Sequence, residues 1–171
     1  NTVANNIISL IEDNDKQIWI GTDQGIYIYN PYYENFTLLS DEFANADVPV
    51  IKKDSRNNIW FIANQSLYFY DAFKKRTKKI KADENNISAL FCSEEDKLYY
   101  GTFAGKICFL EQFQSKILID LERKHGPKDW FAIQKIIEND RGNILFGTSK
   151  AGVGTILKGE NTVNWLLGID H

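Results

Sequence analysis

The chain has 171 residues, 43% hydrophobic, 13% aromatic and 25% charged, with 20 basic and 23 acidic side chains and a net charge of −3. This is the composition of a folded globular domain with a sizeable core, and it excludes a disordered segment. It argues against a nucleic-acid surface, which needs a basic excess, and no apolar run is long enough for a membrane-spanning helix. The opening residues NTVANN lack the basic start and apolar centre of a signal peptide, and the absence of methionine reads as that of an excised chain.

One segment occurs four times. The copies are ISLIEDNDKQIWIGTDQGIYIYN (8–30), VPVIKKDSRNNIWFIANQSLYFYD (48–71), NISALFCSEEDKLYYGTFAGKICFL (86–110) and FAIQKIIENDRGNILFGTSKAGVGTIL (131–157). The anchor residues Trp19, Trp60, Tyr99 and Leu145 fall 41, 39 and 46 residues apart. A period near forty, built of short apolar runs and polar turns, predicts propeller blades.

In the first copy the predicted strands are ISLIED, QIWIGT, GIYIYN and NFTLLS, separated by Asp-, Asn-, Gly- and Pro-containing turns. Gly25 is placed where a turn needs positive φ. Short links make successive strands antiparallel neighbours. The runs IWI, LYFY and KLYYG are apolar on both faces, which suits a sheet stacked between two others. The expected fold is therefore all-β: a β-propeller segment of four blades, each of four antiparallel strands. The blades cover approximately 5–45, 46–84, 85–125 and 126–171. In the third copy Cys92 and Cys108 lie two strands apart, about 9.6 Å, beyond the reach of a disulfide. Two Cys and two His spread in this way make no metal set, and no cofactor is expected.

The pattern I-x-x-I-x-E-D-x-x-x-x-I-W-I-G-T-x-x-G-I-x-x-Y-N resembles the two-component regulator propeller repeat. In the first copy it is carried by Ile8, Ile11, Glu12, Asp13, Ile18, Trp19, Ile20, Gly21, Thr22, Gly25, Ile26 and Tyr29. Later copies keep Asp54, Ile59, Trp60, Gly101, Thr102, Gly105, Glu138, Gly142, Gly147 and Thr148. The second copy lacks the Gly-Thr pair and the last two lack the Trp. The resemblance implies the periplasmic sensor region of a hybrid two-component system of the Bacteroidetes type. Such sensors hold large propellers of about seven blades, reach the membrane only through the parent protein, and detect oligosaccharides to regulate polysaccharide-utilisation genes. Four blades would then be an arc of a larger ring, with a closed four-bladed ring as the alternative. An arc leaves apolar faces for further blades of the parent chain or for self-association.

Propeller ligands meet one end of the axis, so the turns between second and third strands supply the first candidates: Asp23, Gln24, Asn64, Gln65, Phe103, Ser149 and Lys150. Their amides, carboxylates and aromatic ring suit sugar hydroxyls and CH faces; ordinary turn chemistry explains the same residues. The long link Glu122–Trp130 adds His125, Lys128, Asp129 and Trp130. The basic run Lys74–Lys81 falls on a last strand, where lysines protect an open edge. Glu12-Asp13-Asn14-Asp15 lacks the glycine and distant glutamate of a calcium loop and reads as a hairpin turn. Asn35, Asn64 and Asn86 head glycosylation acceptors that matter only in a eukaryotic secreted protein. The leading expectation is a non-catalytic sensor. A protein-interaction scaffold is the alternative, and a propeller lyase or hydrolase ranks lower, since no Ser-His-Asp order or paired carboxylates stand out.

Overall fold

The computed structural model describes residues 6–82, 86–122 and 131–168. These residues fall into two compact units, Asn1–Ile80 and Lys81–His171, each holding two four-stranded antiparallel sheets.

In the first unit, one sheet takes β1 (Ile7–Glu12), β2 (Ile18–Thr22), β3 (Gly25–Asn30) and β4 (Asn35–Leu38) in that order. The other takes β5 (Val50–Lys53), β6 (Ile59–Ala63), β7 (Ser66–Asp71) and β8 (Arg76–Lys79). β4 stops at Leu38, two residues short of the expected strand, because the chain turns into a 3₁₀ turn at Asp41–Phe43. That turn buries Phe43 edge-on against Phe61 and Tyr68, with ring centroids 5.1 and 5.0 Å away. The second unit repeats the plan with β9 (Ile87–Cys92), β10 (Leu98–Thr102), β11 (Lys106–Glu111) and β12 (Gln114–Asp120), then β13 (Ile133–Glu138), β14 (Ile144–Thr148), β15 (Gly152–Ile156) and β16 (Asn164–Gly168). The basic run lies on β8, the outer strand of its sheet, as expected. Cys92 on β9 and Cys108 on β11 are thiols with β10 between them.

One hairpin recurs between the first and second strands of every sheet. It is opened by Asp13, Asp54, Ser93 and Asn139. The oxygen of each side chain accepts the backbone N–H four residues on, at Gln17, Asn58, Lys97 and Asn143 (2.8–3.0 Å). Three residues on, the chain adopts positive φ each time: Lys16 65°, Asn57 67°, Asp96 60° and Gly142 75°. A short oxygen-bearing side chain that replaces the backbone acceptor is what such a turn needs.

The carboxylates do one thing more. The second oxygen of Asp13 accepts the indole N–H of Trp19 at 2.8 Å, and Asp54 does the same for Trp60 at 3.2 Å. Both indoles are buried, and a buried indole N–H without a partner is costly. Where the anchor is Tyr99 or Leu145 there is no indole to satisfy, and the hairpin residue six positions earlier is Ser93 or Asn139. The missing Trp of the last two repeats is therefore one half of a paired change.

Stacking explains the glycine of the Gly-Thr pair. A Cβ on Gly21 would stand 2.4 Å from the Val48 carbonyl oxygen and 3.2 Å from Ile51. On Gly101 it would stand 2.4 Å from Cγ2 of Ile133. In each unit the first strand of the second sheet, or the residue leading to it, lies directly on this glycine. The buried clusters follow: Trp19 and Ile26 with Ile51, Ile59 and Phe61 in the first unit, and Tyr99 and Ile107 with Ile133, Ile136 and Phe146 in the second. The corresponding glycine of the fourth sheet, Gly147, has nothing within 4 Å of its Cβ direction.

Candidate functional site

The turns between second and third strands are built mainly for their own closure. Thr22 Oγ1 accepts the Gln24 N–H at 3.0 Å and donates to the Gly25 carbonyl at 2.8 Å. Gly25 has φ 127°, as expected. Asp23 is half-buried, and its buried Oδ1 has no hydrogen-bond partner among the described residues. Gln24 is exposed, with its carbonyl taken by the Asn45 N–H. Asn64 and Gln65 both have positive φ, 46° and 61°, the signature of a type I′ turn.

The Asn64 side chain is committed: its Oδ1 accepts the Asp47 N–H at 3.0 Å while its own N–H donates to the Asp47 carbonyl at 3.0 Å. Phe103 and Ser149 donate through their backbone N–H groups to Asn86 and Ala132 in the same way. The side chain of Phe103 is exposed, and so is Lys150. Asn64→Ala is expected to destabilise the first unit by about 1–2 kcal/mol, since it loses the Asp47 contact and puts a Cβ-bearing non-Asn residue at positive φ; a denaturant midpoint checks this. His125, Lys128, Asp129 and Trp130 lie outside the described residues. Within each unit, the remaining candidates are spread over two turns.

A cleft exists at the opposite end, between the two sheets of the second unit. It encloses about 460 Å³. Its floor is Tyr99, Phe109, Leu118, Ile144 and Ile156; its rim carries Glu95, Lys97, Glu138, Lys158, Glu160 and Asn161. Period-two alternation puts Lys97 on the same side of its strand as Tyr99, and register puts Phe109 opposite Tyr99. The Lys97 ammonium consequently lies over both rings, 5.1 Å from the Tyr99 centroid and 4.5 Å from that of Phe109. A second lobe of about 380 Å³ adjoins, with Glu94, Asp140 and Arg141. Among the described residues no group of three His, Cys, Asp or Glu side chains could hold a metal.

The first repeat, residues 3–24, matches the family model described as "Two component regulator propeller". That stretch of the first blade is similar to a regulator propeller repeat. Solved structures extend the likeness to the whole segment. The chain is 25% identical to the extracellular domain of BT4673 from B. thetaiotaomicron, described as a hybrid two component system. The match has a TM-score of 0.73 over 91% of this chain and 22% of that one. A second such domain, BT3049 of the same organism, is 19% identical with a TM-score of 0.70, again over 91% and 22%. Virginiamycin B lyase from Staphylococcus aureus is 12% identical over 96% of this chain and 57% of that one, with a TM-score of 0.77, which speaks for the fold alone. The four sheets are thus blades of a β-propeller. The chain spans about a fifth of the two B. thetaiotaomicron domains. No curated protein matches its sequence. Among the described residues no helix is long and apolar enough to cross a membrane.

Proposed function

We propose that this regulator propeller segment is a non-catalytic, ligand-binding part of a periplasmic sensor in a hybrid two-component system. Its ligand is an oligosaccharide, and binding regulates genes for polysaccharide use. The observation that carries this reading is the combination of the family repeat with 25% identity, over 91% of the chain, to the extracellular domain of BT4673. A sensor of this kind acts by contacts that differ between two arrangements of the receptor, which the kinase then reads. Calorimetric titration of the protein with a panel of oligosaccharides, with chromatography of the same samples, tests it. Heat of binding with every sugar recovered intact is expected. A cleaved or rearranged product would instead favour the lyase reading.

The partner of the fourth sheet belongs to the same reading: a further blade of the parent chain. The support is the socket at Gly147. Gly21 and Gly101 are each covered by the next sheet's first strand, whereas Gly147 is open and flanked on its face by exposed Ile137, Val153 and Leu167. The matching knobs are recognisable too. Ile133 and Ile136, which sit in the second unit's core at 0% and 3% exposure, correspond by register to Ile7 and Leu10 of β1, both 57% exposed. In the parent protein Gly147→Val is expected to destabilise the propeller by about 2–3 kcal/mol by overpacking; in the 171-residue chain the same change should move stability by less than about 0.5 kcal/mol. Paired thermal or denaturant melts decide it.

A further inference from the structure

We propose that the cleft between the third and fourth sheets is the seat of a protonated amino sugar. This rests on the sensor reading above and deepens it.

The cleft has an identifiable origin. In the first unit the same place is filled: Trp19 of the first sheet meets Tyr70 of the second edge-on, ring centroids 4.9 Å apart, with the indole fixed by Asp13. Register equates Trp19 with Tyr99, since they pair with Ile28 and Phe109 at matching places on the third strands. It equates Tyr70 with Ile156, which pair with Ile59 and Ile144. Both members of the packed pair are thus replaced by smaller side chains, and the fixing carboxylate by Ser93. These two large-to-small changes open space across the interface; Phe109 and Phe91, standing beside Tyr99 where Ile28 and Ile11 stand beside Trp19, return part of it, and a cleft remains. The volume of about 460 Å³ lies within the range of small-molecule sites.

The groups lining the cleft select the ligand's charge. The floor already holds a cation, the Lys97 ammonium over Tyr99 and Phe109. The negative faces of the rings favour such a group. The rim carries three carboxylates, Glu95, Glu138 and Glu160, against Lys97 and Lys158, and the adjoining lobe adds two more against Arg141. A site with this balance attracts cations and repels anions. Lys97 is an exposed residue, and its flexible stem lets the ammonium swing into water, keeping its charge solvated. An amino sugar takes its place: the ring's CH face and ammonium cover the two aromatics, and hydroxyls reach Asn161 and the rim carboxylates.

The test is calorimetry on the whole chain with the β-1,4-linked glucosamine trimer, its fully N-acetylated form, and a galacturonic acid trimer. The glucosamine trimer should bind at pH 6 and at least tenfold more weakly at pH 9, where its amines are neutral. The N-acetylated and uronic trimers should bind at least tenfold more weakly at pH 6. Lys97→Ala should tighten the glucosamine trimer several-fold by removing the competing cation, which a purely structural role for Lys97 would not do. The double change Ser93→Asp with Tyr99→Trp rebuilds the indole pair of the first repeat; it should keep the melting temperature and abolish binding. Equal or better binding of the uronic trimer, weaker binding in Lys97→Ala, or no binding of the glucosamine trimer overturns the assignment. If another sugar binds and ignores the double change, the sensor reading stands and the cleft falls. If the glucosamine trimer binds but is turned over, the cleft stands and the sensor reading falls.

Discussion

Gly101→Val is expected to destabilise the second unit by about 3 kcal/mol, near the top of the range for overpacking. The reason is local and rigid. A Cβ at this position falls 2.4–2.5 Å from Cγ2 and Cβ of Ile133. The Cβ is fixed by the backbone of β13, so a rotamer change at Ile133, itself stiff at χ1, cannot relieve the clash. Either β13 lifts off β10 or the fourth sheet shifts as a body. Gly101→Ala should show a smaller loss of the same sign. Gly147→Ala, at the equivalent place one sheet later, should be close to neutral in the 171-residue chain, where nothing stands within 4 Å. Equilibrium denaturation of the three variants checks the ranking. Equal losses at Gly101 and Gly147 would mean that stacking does not set the requirement for glycine, and strand propensity would be the remaining explanation.

Asp13→Ala carries the second large effect, a loss of about 2–3 kcal/mol from the first unit. One carboxylate serves the backbone N–H groups of Asp15 and Gln17 and the indole of Trp19. Alanine leaves a buried N–H of Trp19 with no acceptor, at a cost of about 1–3 kcal/mol, and removes the turn closure besides. Asp13→Asn should cost less, because Asn139 closes the fourth hairpin through its Oδ1 to Arg141 and Asn143. The informative experiment is a double-mutant cycle of Asp13→Asn with Trp19→Leu, which reproduces the pair found in the fourth repeat. A coupling of about 1–2 kcal/mol is expected, the double variant being more stable than the sum of the singles. Strict additivity would show that the indole contact is incidental.

Most of the fold was legible in the sequence. Strand after strand falls on a β-branched or aromatic run bounded by a polar turn, and the period near forty carries four sheets of four. The Asp13–Trp19 spacing was also visible, and its mechanism could have been inferred: Asp goes with Trp twice, while Ser93 and Asn139 go with Tyr99 and Leu145. The site was much less legible. Asn64, expected as a sugar-binding amide, has a structural contact as well: its Oδ1 accepts the N–H of Asp47 in the link leading to β5. Residues selected for turn-like polarity are often holding the turn. The cleft is not legible in any single repeat, because it is formed across sheets. Tyr99 and Ile156 come from different repeats, and only the register shows that each replaces a larger partner of a pair packed in the first unit. One signal was present: Lys97 two residues before Tyr99 places a cation and a ring on one side of a strand.

Gly21, Gly101 and Gly147 each mark a sheet face made to be covered by the first strand of another repeat. Light scattering of the 171-residue chain over a wide concentration range tests it most directly, with Leu167→Lys beside Gly147 as the control. The account predicts a mass that rises with concentration, because exposed Ile137, Val153 and Leu167 flank Gly147 and exposed Ile7 and Leu10 lie on β1, and a return toward monomer in the lysine variant. A strictly monomeric mass at every concentration, unchanged by Leu167→Lys, would contradict it.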